Sequence, residues 1–226
     1  MSIVAVRNLH ARLGGRAVLH GVSFAAEPGT LTAIAGPNGA GKSTLLRGLA
    51  GLLPGGRAEP KRVAWLPQDA RCAWGLTIAQ VAALGRIPHG DANEAAIDRA
   101  LAACGIAHLR DARVDRVSGG QARRAMLARA FATDPAALLL DEPVADLDPA
   151  ACFEIMDLLR RTAHAGRAVV VVLHALDLAL RYADRMVVMQ DGRIVADAPP
   201  EAALPAAAAA FGLRLGPDPA PLLLPG

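Results

Sequence analysis

The sequence predicts an α/β fold: a mostly parallel sheet covered by helices, with an antiparallel β layer at the amino terminus and an inserted all-helical segment. Three observations carry this. Short apolar runs rich in β-branched residues recur along the chain, helix-length patterns lie between several of them, and one long internal stretch has no strand pattern.

The elements follow in order. Ile3–Val6 opens a hairpin layer that reaches to about Ser23, with its turn at Gly14-Gly15. Leu31–Ala35 reads as a buried strand, Lys42–Gly51 as the helix after it, and Arg62–Leu66 as a second core strand. From about residue 75 to 117 the pattern is helical, with Ile78–Leu84 and Asn93–Ala103 the clearest segments. Gly120–Ala132 (helix), Ala137–Leu140 (strand), Ala150–Ala163 (helix), Ala168–Leu173 (strand) and Leu176–Tyr182 (helix) restore the alternation. "MVVMQDGRIVADA" reads as a strand over Met186–Met189, an Asp191-Gly192 turn and a returning strand. After Pro199 the alanine- and proline-rich chain predicts one short helix and a loose tail, "GPDPAPLLLPG". The expected organisation is one domain over 1–226: a core from about 1–74 and 118–198, a helical subdomain at about 75–117, and the carboxy-terminal helix and tail at 199–226.

Composition narrows the function classes. The 226 residues are 53% hydrophobic, enough for one substantial core. With 24 basic and 21 acidic residues the charge is too balanced to indicate nucleic acid, and 3% aromatic content leaves little to stack bases on. Cys72, Cys104 and Cys152 lack ligand spacing and read as reduced thiols of a cytosolic protein. "MSIVAVRNLH" has no signal-peptide pattern, and runs such as "AVVVVLHA" fall short of the ~20 apolar residues that span a bilayer. A membrane role is therefore expected to come through a partner. The arginine-rich surface reads as solvated. Lysine occurs only at Lys42 and Lys61, so its presence in a glycine loop suggests a need for a compact ammonium rather than a planar fork.

That loop, "GPNGAGKST", runs through Gly36, Pro37, Asn38, Gly39, Ala40, Gly41, Lys42, Ser43 and Thr44. An apolar strand precedes it and a helix follows, the context a phosphate-binding loop requires. Glycines let successive N–H groups turn toward an anion, and the helix start adds to that field. Lys42 suits β- and γ-phosphates, and the Ser43 hydroxyl suits Mg²⁺. Downstream, "AALLLDEP" is an apolar strand ending in two carboxylates. Asp141 is placed to hold the Mg²⁺ shell and Glu142 to act as general base on water. Together they predict binding and hydrolysis of a nucleoside triphosphate.

A second anion-binding helix start occurs at "VSGGQ", Val117–Gln121. The whole set resembles the nucleotide-binding subunits of ATP-binding cassette (ABC) transporters. "GPNGAGKST" is similar to the Walker A loop, "ALLLDEP" to the Walker B strand, "WLPQ" with Gln68 to the Q-loop, and "VSGGQ" to the signature motif. "VADLD" is similar to the D-loop, and "VVLHALD" with His174 to the switch histidine. The resemblance implies two copies associating head to tail, with Ser118, Gly119, Gly120 and Gln121 of one closing over ATP in the other's loop. It also implies that Gln68 touches Mg²⁺ and water and senses the helical insertion, that Asp148 lies at the dimer seam, and that His174 contacts the γ-phosphate.

Departures are few. The position where most members carry an adenine-stacking aromatic is Leu13, Val117 stands before the signature serine in place of leucine, and Ala175 follows His174 where an acid is common. "TIAQVAALGRIPH" and "EAALPAAAAAFGLRL" resemble importers of iron-siderophore complexes, haem and cobalamin. Zinc or manganese importers are the next candidate, and a soluble ATPase such as an iron–sulphur assembly factor is another class. The importer reading implies polytopic permease subunits, an indirect periplasmic binding protein, no nucleic acid, and a peripheral place on the cytoplasmic face of the inner membrane.

Overall fold

A computed structural model of the chain describes residues 4–54, 61–70, 75–145 and 147–214. Ile3, Cys72 and the tail from 215 to 226, each part of an expectation above, lie outside the described residues.

Strands β1 (Val4–Leu13) and β2 (Arg16–Ala26) pair antiparallel in a sheet of their own. Gly14 and Gly15 both have positive φ, the mirror-image turn that matches the twist of paired strands. The second sheet holds β3 (Leu31–Ala35), β4 (Val63–Leu66), β5 (Ala137–Asp141), β6 (Ala168–Val172), β7 (Arg185–Gln190) and β8 (Arg193–Ala198) in the order β4-β5-β6-β3-β7-β8. All neighbours run parallel except β7 and β8, joined through Asp191 and Gly192, both at positive φ.

Because side chains alternate across a strand, this sheet feeds two cores. Leu31, Ala33, Leu138, Leu140, Val169 and Val171 pack into one. Ile34, Leu139, Val170, Val172 and Met189 pack into the other. The runs in β3, β5 and β6 are continuously apolar, apart from Thr32 and the terminal Asp141, because both faces are covered. Helix α1 (Lys42–Leu49) and the β1–β2 layer cover the second face.

The other face carries α2 (Ile78–Ala83), α3 (Glu94–Ala103), α4 (Gly119–Ala132), α5 (Pro149–His164), α6 (Leu176–Tyr182) and α7 (Pro200–Ala210). Thr77 and Gln80 start α2 with a reciprocal capping box, and Asn93 caps α3. Between them, a 3₁₀ segment over Leu84–His89 packs on α4. A Cβ at Gly85 would lie 2.0 Å from the Arg129 carbonyl oxygen, so only glycine allows that approach. Arg86, 5% exposed, donates to both oxygens of Asp91 and to the Ala132 carbonyl, while His89 Nε2 lies 2.9 Å from the Thr133 carbonyl. The short helix expected after Pro199 runs to 11 residues despite Pro205 inside it.

Candidate active site

In a parallel sheet the carboxyl ends of the strands line one edge, where ligands bind. The glycine loop follows β3, Gln68 follows β4, Asp141 ends β5 and His174 lies just beyond β6. The strand order puts β6 between β5 and β3, so His174 enters between the Asp141–Glu142 pair and the loop.

Shape in the loop is set by its neighbours. A Cβ at Gly36 would lie 2.1 Å from the Met189 carbonyl oxygen, and one at Gly41 would lie 2.7 Å from Leu19 Cδ2. Both residues have positive φ, as does Gly39, whose own side faces open space. Pro37 is half-buried, Asn38 is exposed, and Ala40 and Thr44 are buried. The Ala40 carbonyl accepts from the Gly192 N–H at 3.2 Å. The loop is thus wedged between β2 and the β7–β8 turn.

Lys42 is 6% exposed, and its Nζ donates to the carbonyls of Gly36 (2.7 Å) and Pro37 (3.0 Å). Burial lowers its pKa from the ordinary lysine value, while Glu142 and Asp141 act in the opposite sense. Asp141 is 2% exposed. Burial pushes its carboxyl up, a hydrogen bond from Ser43 pulls it back, and Glu142 adds to the rise. Asp141 Oδ1 is buried with no hydrogen-bond partner among the described residues. An orphaned carboxylate oxygen beside a hydroxyl is a hard-oxygen set that suits Mg²⁺. No group of three or more His, Cys, Asp or Glu among the described residues could hold a metal ion by itself, so a cation here would share its shell with phosphate oxygens and water.

Glu142 has φ of 51°, a backbone state that costs about 1–3 kcal/mol for a residue with a side chain. Its Oε1 lies 2.5 Å from His174 Nε2, with the carboxylate largely buried and the imidazole half-exposed. Arg123 of α4 surrounds the backbone here, donating to the carbonyls of Asp141, Glu142, Pro143 and Gln68. Sequence reading missed this residue and took it for part of a solvated arginine face. Its spacing on the helix carries no signal that separates the two. Gln68 is exposed just past β4, with its carbonyl on Arg123.

Ser118 caps α4. Its hydroxyl accepts from the Gln121 N–H (3.2 Å), and the Gln121 side chain accepts from the Ser118 N–H (3.0 Å). A Cβ at Gly119 would meet nothing within 4 Å, so that face of the helix start is open, whereas Gly120 faces Leu147. Asp148 is exposed and caps α5 by accepting from the Ala151 N–H at 3.0 Å. Leu13 ends β1, 41% exposed. The single chain brings together Lys42, Ser43, Asp141, Glu142 and His174. Ser118, Gly119, Gly120 and Gln121 form a separate helix start.

A family model described as ABC transporter matches residues 19–145, more than half of the chain. The cobalamin import ATP-binding protein BtuD of Halobacterium salinarum is 39% identical over 95% of this chain, which spans 61% of that protein's length. The hemin import ATP-binding protein HmuV of Gloeobacter violaceus is 39% identical over 85% of this chain and 80% of its own. Among solved structures, a nucleotide-free ATP-binding cassette from an ABC transporter superposes with a TM-score of 0.80 at 25% identity, covering 92% of this chain and 96% of that one.

Proposed function

The chain belongs to the ABC transporter family, and from that membership we propose that it is an ATPase subunit that energises uptake of a metal-chelate compound of the siderophore, haem or cobalamin kind. The observation that carries the ATPase reading is the Glu142–His174 contact of 2.5 Å beside the buried Asp141 and its neighbour Ser43. The names of the curated relatives, cobalamin and hemin import proteins, support the class of cargo.

In this reading the glycine loop and Lys42 hold the β- and γ-phosphates of ATP. Ser43, Asp141 and Gln68 hold Mg²⁺, which when bound neutralises charge on the phosphates. Glu142 accepts a proton from water as it attacks. His174 fixes the carboxylate's direction and reaches toward the γ-phosphate. Leu13 touches adenine by apolar contact alone. Ser118, Gly119, Gly120 and Gln121 of a second copy close over the same nucleotide, with Asp148 at the seam, so loss of the γ-phosphate weakens the bridge. No helix among the described residues is long and apolar enough to cross a membrane. In this reading permease subunits carry the transport path, this chain is peripheral on the cytoplasmic face, and a periplasmic binding protein delivers cargo.

The test is Glu142→Gln. Steady-state hydrolysis should fall by about 100-fold or more, the usual worth of a general base. Mg-ATP binding should persist, and the variant should run as a dimer on size exclusion with Mg-ATP. Turnover at the wild-type rate would reject the base. A strictly monomeric variant, even beside its membrane component, would reject the composite site.

A further inference from the structure

We propose that Arg123 is a positioning residue: from the signature helix it sets the backbone from which Glu142 projects, and it ties that backbone to Gln68, two residues past β4. The inference rests on the reading of Glu142 as the base. Arg123 sits in the second turn of α4, the helix that Ser118 caps. Its Nη2 donates to the Glu142 carbonyl at 2.5 Å and the Asp141 carbonyl at 3.1 Å, and Nε lies 3.4 Å from the Pro143 carbonyl. Nη1 donates to the Gln68 carbonyl at 3.0 Å.

Three successive carbonyls can face one cation only if the chain curls round it, and the curl is seen at Glu142, with φ of 51°. Such a backbone persists only where its surroundings over-determine it. The planar guanidinium has five donors in a fixed fork, which suits several fixed acceptors far better than the point charge of lysine. With the curl in place, the Glu142 side chain leaves the strand toward His174. Arg123 is therefore a rigid strut between the helix that would meet a second copy and the carboxylate that would activate water. Movement of the start of α4 is passed to the catalytic backbone, and through Gln68 to the edge of the helical insertion.

The experiment compares the full-length wild type with Arg123→Met, Arg123→Lys and Glu142→Gln, measuring kcat and KM for ATP, affinity for a fluorescent ATP analogue, and the urea midpoint. Met keeps the apolar stem and removes every donor. Misplacing a catalytic group by about 1 Å can cost ~100-fold, so R123M should lower kcat by about 10- to 100-fold. KM and analogue affinity should stay within about twofold, the signature of an interaction that matters in the transition state alone. R123K should fall between R123M and wild type, and it carries the test if R123M is too unstable to purify. A wild-type kcat in R123M, or a loss of nucleotide affinity and urea midpoint in step with kcat, would overturn the proposal. If instead E142Q keeps wild-type turnover, the base assignment fails, and that outcome is separate from the R123M result.

Discussion

Ser43, in the first turn of α1, faces the Asp141 carboxylate that ends β5 and favours its charged form against the rise that burial imposes. The pair lies between the loop that would hold phosphate and the strand that would hold the metal. Asp141 Oδ1 has no hydrogen-bond partner among the described residues, although the side chain is buried. Burying a carboxylate with an unpaired oxygen is unfavourable by itself, and a cation at that oxygen would offset the cost.

Asp141→Asn should therefore separate stability from function. The carboxyl is raised above the ordinary aspartate value of 3.8, so the folded state favours its neutral form. Its contribution is present at acid pH and is lost as pH rises through the raised value. At neutral pH the nucleotide-free D141N protein should melt no lower than wild type. Any advantage should shrink as pH falls toward 3.8, where the wild-type group also becomes neutral. The Mg²⁺-dependent part of the stabilisation by ATP should vanish in D141N. Thermal melts across pH, with and without Mg-ATP, check both halves, and full Mg-ATP stabilisation in the variant would contradict the assignment.

Lys42→Arg should fail even though arginine serves almost everywhere else in this chain. Nζ sits between two carbonyls 2.7 and 3.0 Å away in a space that is 6% exposed, and a planar guanidinium does not fit there. ATP affinity should drop at least about tenfold, or ~1.4 kcal/mol, with the fold intact by circular dichroism. Equal affinity in a nucleotide titration would show that a generic cation suffices.

Leu13→Tyr should tighten ATP binding and sharpen preference for it over GTP. Leu13 is already 41% exposed at the end of β1, so a ring there could lie against a base. Stacking is worth ~1–3 kcal/mol, which predicts about a fivefold gain or more. Unchanged affinity and unchanged discrimination would remove adenine from this position.

Much of the fold was legible because its signals are local. The continuous apolar runs of β3, β5 and β6 require cover on both faces, and the glycines of the loop require positive φ at Gly36, Gly39 and Gly41. What the sequence hid depends on distance along the chain. Arg123 reaches back 55 residues to Gln68, and nothing in its helix spacing separates a strut from a solvated cation. Arg86 is legible only as part of the importer-like segment "TIAQVAALGRIPH"; its bonds to Asp91 and the Ala132 carbonyl appear only in the fold. The family resemblance gives Asp148 to a dimer seam, and within one chain it starts α5. The site residues were legible as types in an order, whereas the 2.5 Å approach of Glu142 to His174 needed β5 and β6 to be neighbours.

Ser118 has one more consequence. A hydroxyl owns two lone pairs and one proton. Starting α4 uses a lone pair, on the Gln121 N–H, and leaves the proton to be given elsewhere. Aspartate would start the helix as well, yet it has no hydrogen to offer and would repel a phosphate oxygen. Alanine would accept the approach and unravel the first turn. One small alcohol thus anchors its own helix and keeps a proton that, in the proposed composite site, would meet a neighbour's anion.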